Sequence, residues 1–196
     1  MSFVKEVSTW ILAGIGGVIQ SIDEAEIGRM IDVIMAVRAH KILLLGTGRS
    51  GFVGRAFALR LMHLGFNVYV SGETITPALT ADDLVLVISG SGTTTTVVAQ
   101  AEVAKSVGSR VVAVTSHLDS PLGRVADEVV LVKGRTKIDQ ITDYEGRQIS
   151  GVYDNAPLGT MFELSVMVFL DSVIAALMQR LGIHEIDLRA RHANAE

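Results

Sequence analysis

Lys41-Ile42-Leu43-Leu44-Leu45-Gly46-Thr47-Gly48-Arg49-Ser50-Gly51 is the stretch whose reading decides the fold. A run that is apolar after Lys41 meets a cluster of glycines, and a helical pattern follows from about Gly51 to Leu64. Apolar throughout rather than alternating, such a run reads as a strand buried on both faces, as in a parallel sheet. Working outward, the same unit recurs. Asn67–Ser71 is a second run. Leu84–Ile88 is a third, again followed by glycines and a helix to about Val107. Arg110–Thr115 is a fourth, with a short helix near Pro121–Ala126, and Glu128–Val132 is a fifth. Strand–helix alternation predicts an α/β fold: a doubly wound, five-stranded parallel sheet between two layers of helices, of flavodoxin-like type.

The flanks complete one domain of 196 residues. Residues 1–40 read as two helices. Phe3, Val7, Trp10, Ile11, Ile15, Val18 and Ile19 keep helical spacing. Asp23 with Glu26 forms a capping-box pattern before Ile27, Met30, Ile31 and Ile34, and that helix ends near His40. Residues 41–132 carry the sheet. Residues 133–156 are polar and long, a lid or hairpin with a turn at Tyr144–Arg147. Pro157 suits the first turn of a long helix over 157–181, and residues 182–196 form a charged tail.

Composition narrows the class of function. Hydrophobic residues are 49% of the chain, and the mean hydropathy of +0.43 is high for a soluble protein. Either a large internal core or surface buried between subunits accounts for that excess. A net charge of -4 with no basic block argues against nucleic acid. Cysteine is absent, so disulfides and thiolate metal sites are excluded. The five histidines show no zinc spacing, and no metal is expected. Trp10–Ile19 is too short to span a bilayer, and Leu164–Met178 carries Asp171 at its middle. Both read as helices of a soluble chain with no membrane partner. Nothing suggests secretion, and a cytoplasmic location is expected.

Ligands of open parallel sheets bind at the carboxyl ends of the strands, where three segments carry chemistry. Gly46–Gly51, with Gly48, Arg49 and Ser50 at a helix N-terminus, offers free N–H groups to an anion. It also fits G-x-G-x-x-G with Glu73 22 residues beyond Gly51, so a dinucleotide remains a competing ligand. The loop Ser89-Gly90-Ser91-Gly92-Thr93-Thr94 gathers hydroxyls and amides that hold a phosphate without a lysine. Glu163, at the start of the long helix, is either a partner of the helix dipole or a base. His63 beside Met62 and Leu64 reads as a packing residue.

These segments, together with Ala58–Phe66, Gly72-Glu73-Thr74-Ile75-Thr76-Pro77, Pro157–Glu163 and the ending Arg191-His192-Ala193-Asn194, resemble the sugar isomerase (SIS) domain family from the first helices to the tail. The Ser-Gly-Ser-Gly loop is general to that family, and the other motifs in combination are more specific. The resemblance implies interconversion of 3-hexulose 6-phosphate and fructose 6-phosphate, with a sugar phosphate as small-molecule partner. It implies no cofactor and a homo-oligomer, dimer or tetramer. Gly48, Arg49, Ser50 and the loop Ser89, Gly90, Ser91, Gly92, Thr93 and Thr94 would bind substrate, mainly its phosphate. Glu163 would abstract the proton; His192 would move it between the two oxygens, in its own or a neighbouring subunit's site, or else the tail only packs at an interface. Thr93 stands where many such loops have Glu. Another sugar-phosphate isomerase, a non-catalytic sugar-phosphate module and a nicotinamide-dependent oxidoreductase are the alternatives.

Overall fold

The computed structural model describes residues 2–134 and 156–194, so the turn expected at Tyr144–Arg147 lies outside the described residues. Five strands, β1 (Lys41–Leu45), β2 (Asn67–Val70), β3 (Leu84–Ile88), β4 (Arg110–Thr115) and β5 (Glu128–Leu131), form one sheet in the order β2-β1-β3-β4-β5. Every pairing is parallel. This is the flavodoxin-like order and not the 3-2-1-4-5-6 order of a dinucleotide-binding sheet.

Alternation along each central strand feeds two cores. Ile42, Leu44, Leu84, Leu86, Ile88, Val112 and Val114 face one side of the sheet. There they meet α2 (Glu24–Ala36), α3 (Gly48–His63) and α6 (Thr160–Leu181). Leu43, Leu45, Val85, Val87, Val111 and Ala113 face the other side, covered by α4 (Thr95–Val107) and α5 (Pro121–Val125). All five residues of β3 are buried, which explains an apolar run with no polar alternation. Burying each such side chain contributes roughly 1.5–3 kcal/mol. β2, at the edge, is only half-buried.

The helix α6 is long and apolar enough to cross a membrane by length and composition. Its Phe162, Val166, Phe169, Leu170, Val173, Ile174 and Leu177 are instead buried in the first core, while Asp171 is exposed 4.0 Å from Arg60.

Three local expectations change. Asp23 caps α2 through Ala25 N and Glu26 N, but Glu26 does not close the capping box. Its Oε2 accepts from Leu131 N at 2.8 Å and covers the open edge of β5. The long helix starts at Thr160 rather than Pro157, because Gly159, at φ +87°, takes the left-handed N-cap position. The first helix, α1 (Phe3–Gln20), buries only Ile15, leaving Phe3, Val4 and Leu12 exposed. A seventh helix, α7 (Glu185–Arg189), belongs to the tail.

Candidate active site

β1 and β3 are neighbours, yet their following helices leave to opposite faces of the sheet. The chain therefore parts at the carboxyl ends of these two strands, and a crevice opens at this switch point. A cavity of about 320 Å³ occupies it. Thr47, Gly48, Arg49 and Ser50 line it from the β1–α3 turn; Ser89, Gly90, Ser91 and Thr94 from the β3–α4 turn; Leu158, Gly159, Phe162 and Glu163 from the start of α6.

Three helix N-termini thus meet at one cavity, and none is capped by its own side chain. Thr47 before α3 and Thr94 before α4 have extended backbones with no side-chain cap bond, and Gly159 before α6 has no side chain to offer. Asp23 and Ser120, which precede α2 and α5 away from the cavity, both cap with their side chains. First-turn N–H groups have no partner within the helix. Thr160 N donates to the Pro157 carbonyl at 3.0 Å; the remaining first-turn donors, with positive dipole ends, can hold an anion by neutral groups.

The glycines shape this site. An added Cβ on Gly51 would stand 2.9 Å from the carbonyl oxygen of Gly46, so these two glycines serve the tightness of the turn. Gly90 lies against the Phe162 ring, 2.9 Å from an added Cβ, so Phe162 closes the floor of the cavity. Glu73, the acid a dinucleotide would need, pairs with Arg55 beyond β2 and does not line the cavity.

The β3–α4 loop is internally braced. Thr93 donates to Ser91 Oγ through its backbone N at 3.3 Å and its hydroxyl at 3.1 Å. Ser91 Oγ accepts these bonds, which leaves its own proton to donate. Gly92, at φ +60°, turns the loop, and a Cβ there would collide with Ser120. Gly92 and Thr93 therefore stand behind the cradle rather than in its lining. Ser89 and Ser91 are both buried at 5% exposure.

Glu163 is the acid of the cavity, its side chain 14% exposed, and its Oε2 accepts from Arg49 Nε at 2.6 Å. Among the described residues lining the cavity, Arg49 is the one cation and Glu163 the one anion. Sequence reasoning missed Thr47, Ile88, Leu158, Gly159 and Phe162 as lining residues. Thr47 had a signal, as a hydroxyl between two glycines, and Leu158, Gly159 and Phe162 lay within the Pro157–Glu163 motif; Ile88 had none apart from its place at the end of β3.

The SIS domain family model matches residues 35–144 of this chain. The chain belongs to the SIS domain family. It is 42% identical over 160 residues to the 3-hexulose-6-phosphate isomerase of Mycobacterium gastri, covering 82% of this chain and 76% of that protein. It is 36% identical over 175 residues to the 3-hexulose-6-phosphate isomerase of Bacillus subtilis, covering 89% of each. A crystal structure of a Methanococcus jannaschii protein, inferred there to have the molecular function of 3-hexulose-6-phosphate isomerase, superposes with a TM-score of 0.78. That protein is 35% identical, and 98% of each chain is covered.

The SIS cavity gathers Gly48, Arg49, Ser50, Ser89, Gly90, Ser91, Thr94 and Glu163 from the residues the sequence singles out, but not His192. His192 stacks on His63, ring centroids 4.1 Å apart, at the far end of α3. Arg49 and His63 are 14 positions apart on that helix, so His192 lies about 20 Å from the cavity of its own chain at 1.5 Å per residue. Arg191 fastens the tail there, donating from Nη1 to the His63 carbonyl at 2.9 Å and lying over Gly65. His63 is 1% exposed with Nδ1 unbonded, and burial, then His192 and Arg60, hold it below the ordinary histidine value of 6.5.

Proposed function

We propose that this chain interconverts 3-hexulose 6-phosphate and fructose 6-phosphate. The observation that carries the reading is the meeting, in one cavity, of a carboxylate and three uncapped helix N-termini edged with serine and threonine. The neutral donors of Ser89, Ser91, Thr94 and the first turn of α4 hold the phosphate, with Ser50 and the first turn of α3 beside them. The rest of the sugar then lies between Phe162 and Glu163.

The two sugars differ in which of C2 and C3 carries the carbonyl. A proton beside a carbonyl is weakly acidic, so its removal needs a fixed base and a stabilised oxyanion. Glu163 takes the C2 proton of the 3-ketose, and the electron pair forms the C2–C3 double bond while charge moves to O3. The O2 proton passes to O3, and Glu163 returns its proton at C3, leaving the carbonyl at C2. One carboxylate serves both steps because both carbons of a cis-enediol present the same face. His192 carries the proton between the oxygens, and its distance from its own cavity makes a neighbouring subunit's site its destination in a homodimer or tetramer. Deleting residues 190–196 tests that role: unchanged turnover would remove His192 from the mechanism. The reading requires no cofactor and belongs to a cytoplasmic enzyme.

The decisive measurement is NMR of fructose 6-phosphate with the purified protein in D2O. Deuterium entering at C3, with signals of a new 3-ketose phosphate, is the expected result. Exchange at C1 would point to aldose–ketose chemistry on another sugar phosphate, and no exchange at either carbon would overturn the isomerase reading for this sugar.

A further inference from the structure

Arg49 stands in the phosphate-binding segment by sequence, but its geometry ties it to the base. Its Nε donates to Glu163 Oε2 at 2.6 Å, and no hydrogen bond engages its Nη groups among the described residues. Arg49 is the second residue of α3, whose first turn has no acid to balance it. A cation is disfavoured at that end of a helix. The pair also gains little as a surface ion pair, because Arg49 is 58% exposed. A residue that breaks a local rule with no stabilising return is expected where function requires it.

The substrate's own geometry separates two jobs. The phosphate sits on C6, while the proton moves between C2 and C3, three or more bonds away. A guanidinium bonded to the base is therefore beside O2 and O3, not beside the phosphate. Were Arg49 drawn away to the phosphate, Glu163 would lose the one cation beside it among the described residues lining the cavity. The phosphate does not require it, since three uncapped helix starts and their hydroxyls converge on the cavity.

We infer that Arg49 serves the chemical step: through Nε it fixes the Glu163 carboxylate, leaving Oε1 to move the proton, and through its Nη groups it donates to the enediolate oxygens. The inference rests on the isomerase reading above. The charge that develops on O3 and then O2 needs a donor in place before the reaction, and the planar fork of arginine spans two adjacent oxygens as a lysine ammonium does not.

The test compares Arg49→Ala, Arg49→Lys and wild type for kcat, KM for fructose 6-phosphate, and inhibition by inorganic phosphate. Wild-type exchange at C3 is measured first; its absence sinks the isomerase reading and this inference with it. With wild type active, Arg49→Ala is expected to lose about 10²–10³-fold in kcat, the usual cost of an oxyanion donor. KM and phosphate inhibition should stay within a few-fold of wild type. Added guanidinium ion should restore part of the lost kcat, which a merely structural role would not allow. Arg49→Lys keeps the charge and should remain well below wild type. A large rise in KM and loss of phosphate inhibition at unchanged kcat would make Arg49 a phosphate ligand and overturn the inference, as would wild-type kinetics in Arg49→Ala. Unchanged melting temperatures establish that the variants are folded.

Discussion

The amino ends of the strands and the cavity beside the carboxyl ends of β1 and β3 are built on opposite rules. At the amino ends of the strands, acids meet the donors they need. Asp83, 2% exposed, accepts from Lys41 N at 2.9 Å, from Thr80 N at 2.7 Å and from the Thr80 hydroxyl at 2.9 Å, with Lys41 Nζ at 3.0 Å. Asp127 accepts from Val111 N at 2.8 Å and pairs with Lys105. Burial raises both carboxyls, yet the hydrogen bonds and cations around them prevail and hold both below the ordinary aspartate value of 3.8. Around the cavity, helices α3, α4 and α6 begin with no side-chain cap, whereas Ser120 caps α5 after β4. Saturated polar groups stabilise the sheet, and unsaturated ones are left for a ligand. The contrast sets residues that maintain the fold apart from residues free to meet a ligand.

Four substitutions or titrations test that contrast, in order of expected effect. Glu163→Gln should lower kcat by about 10²–10⁴-fold, the range of general base catalysis, with the urea midpoint unchanged. Near-normal turnover in that variant would break the assignment of chemistry to this end. Asp83→Ala should do the reverse. It leaves Lys41 N, Thr80 N and a cation without their acceptor and should cost about 3–5 kcal/mol in urea unfolding, with kcat retained in the folded protein. Ser91→Ala removes one hydroxyl from the cradle. A rise in KM of about 10–100-fold at constant kcat is expected, as for a hydrogen bond to a charged group; an unchanged KM would take Ser91 out of the phosphate site.

The smallest effect is one of pH. His63 is held below 6.5, so the folded protein disfavours its protonated form. The unfolded chain then binds the additional proton, and stability falls as pH drops below about 6.5. His192 and Arg60 act on this ring, Arg191 is bonded to the His63 carbonyl, and none of the three offers a negative charge to offset the proton. Thermal melts at falling pH should show the loss, and His63→Phe should flatten it while keeping a ring under His192. The lowered Asp83 and Asp127 act with the same sign at lower pH, since there too the unfolded chain binds the additional proton. Their contribution is present above 3.8 and disappears as pH falls through their folded values.

The five strands and the loops that line the cavity followed from local pattern because the signals are local. A strand buried on both faces has no polar residue to spare, and the bounds of β3 and β4 stand where the apolar runs stop. Glycine and hydroxyl clusters after β1 and β3 located the cavity, since only such residues combine a tight turn with free donors. Features that depend on distant partners were not legible. The Glu26 carboxylate was free, by sequence, to close its own capping box; the unpaired edge of β5, 105 residues away, takes it instead. Gly159 displaced Pro157 at the start of α6 because a left-handed N-cap needs no side chain and lets Glu163 come close.

By itself the sequence determined a doubly wound parallel sheet, the two glycine- and hydroxyl-rich loops that line the cavity and the acid that lies with them, because hydrophobic period, turn chemistry and helix starts are written in neighbouring residues. Only the tertiary structure decided what the charged and aromatic groups do. Arg49 joined Glu163 across 114 residues of chain, Glu73 went to Arg55 instead of to a nucleotide, and His192 came to rest on His63 away from its own cavity. Long side chains choose partners by proximity in the folded state, and that proximity is created by the packing of helices on a sheet rather than by any spacing along the chain.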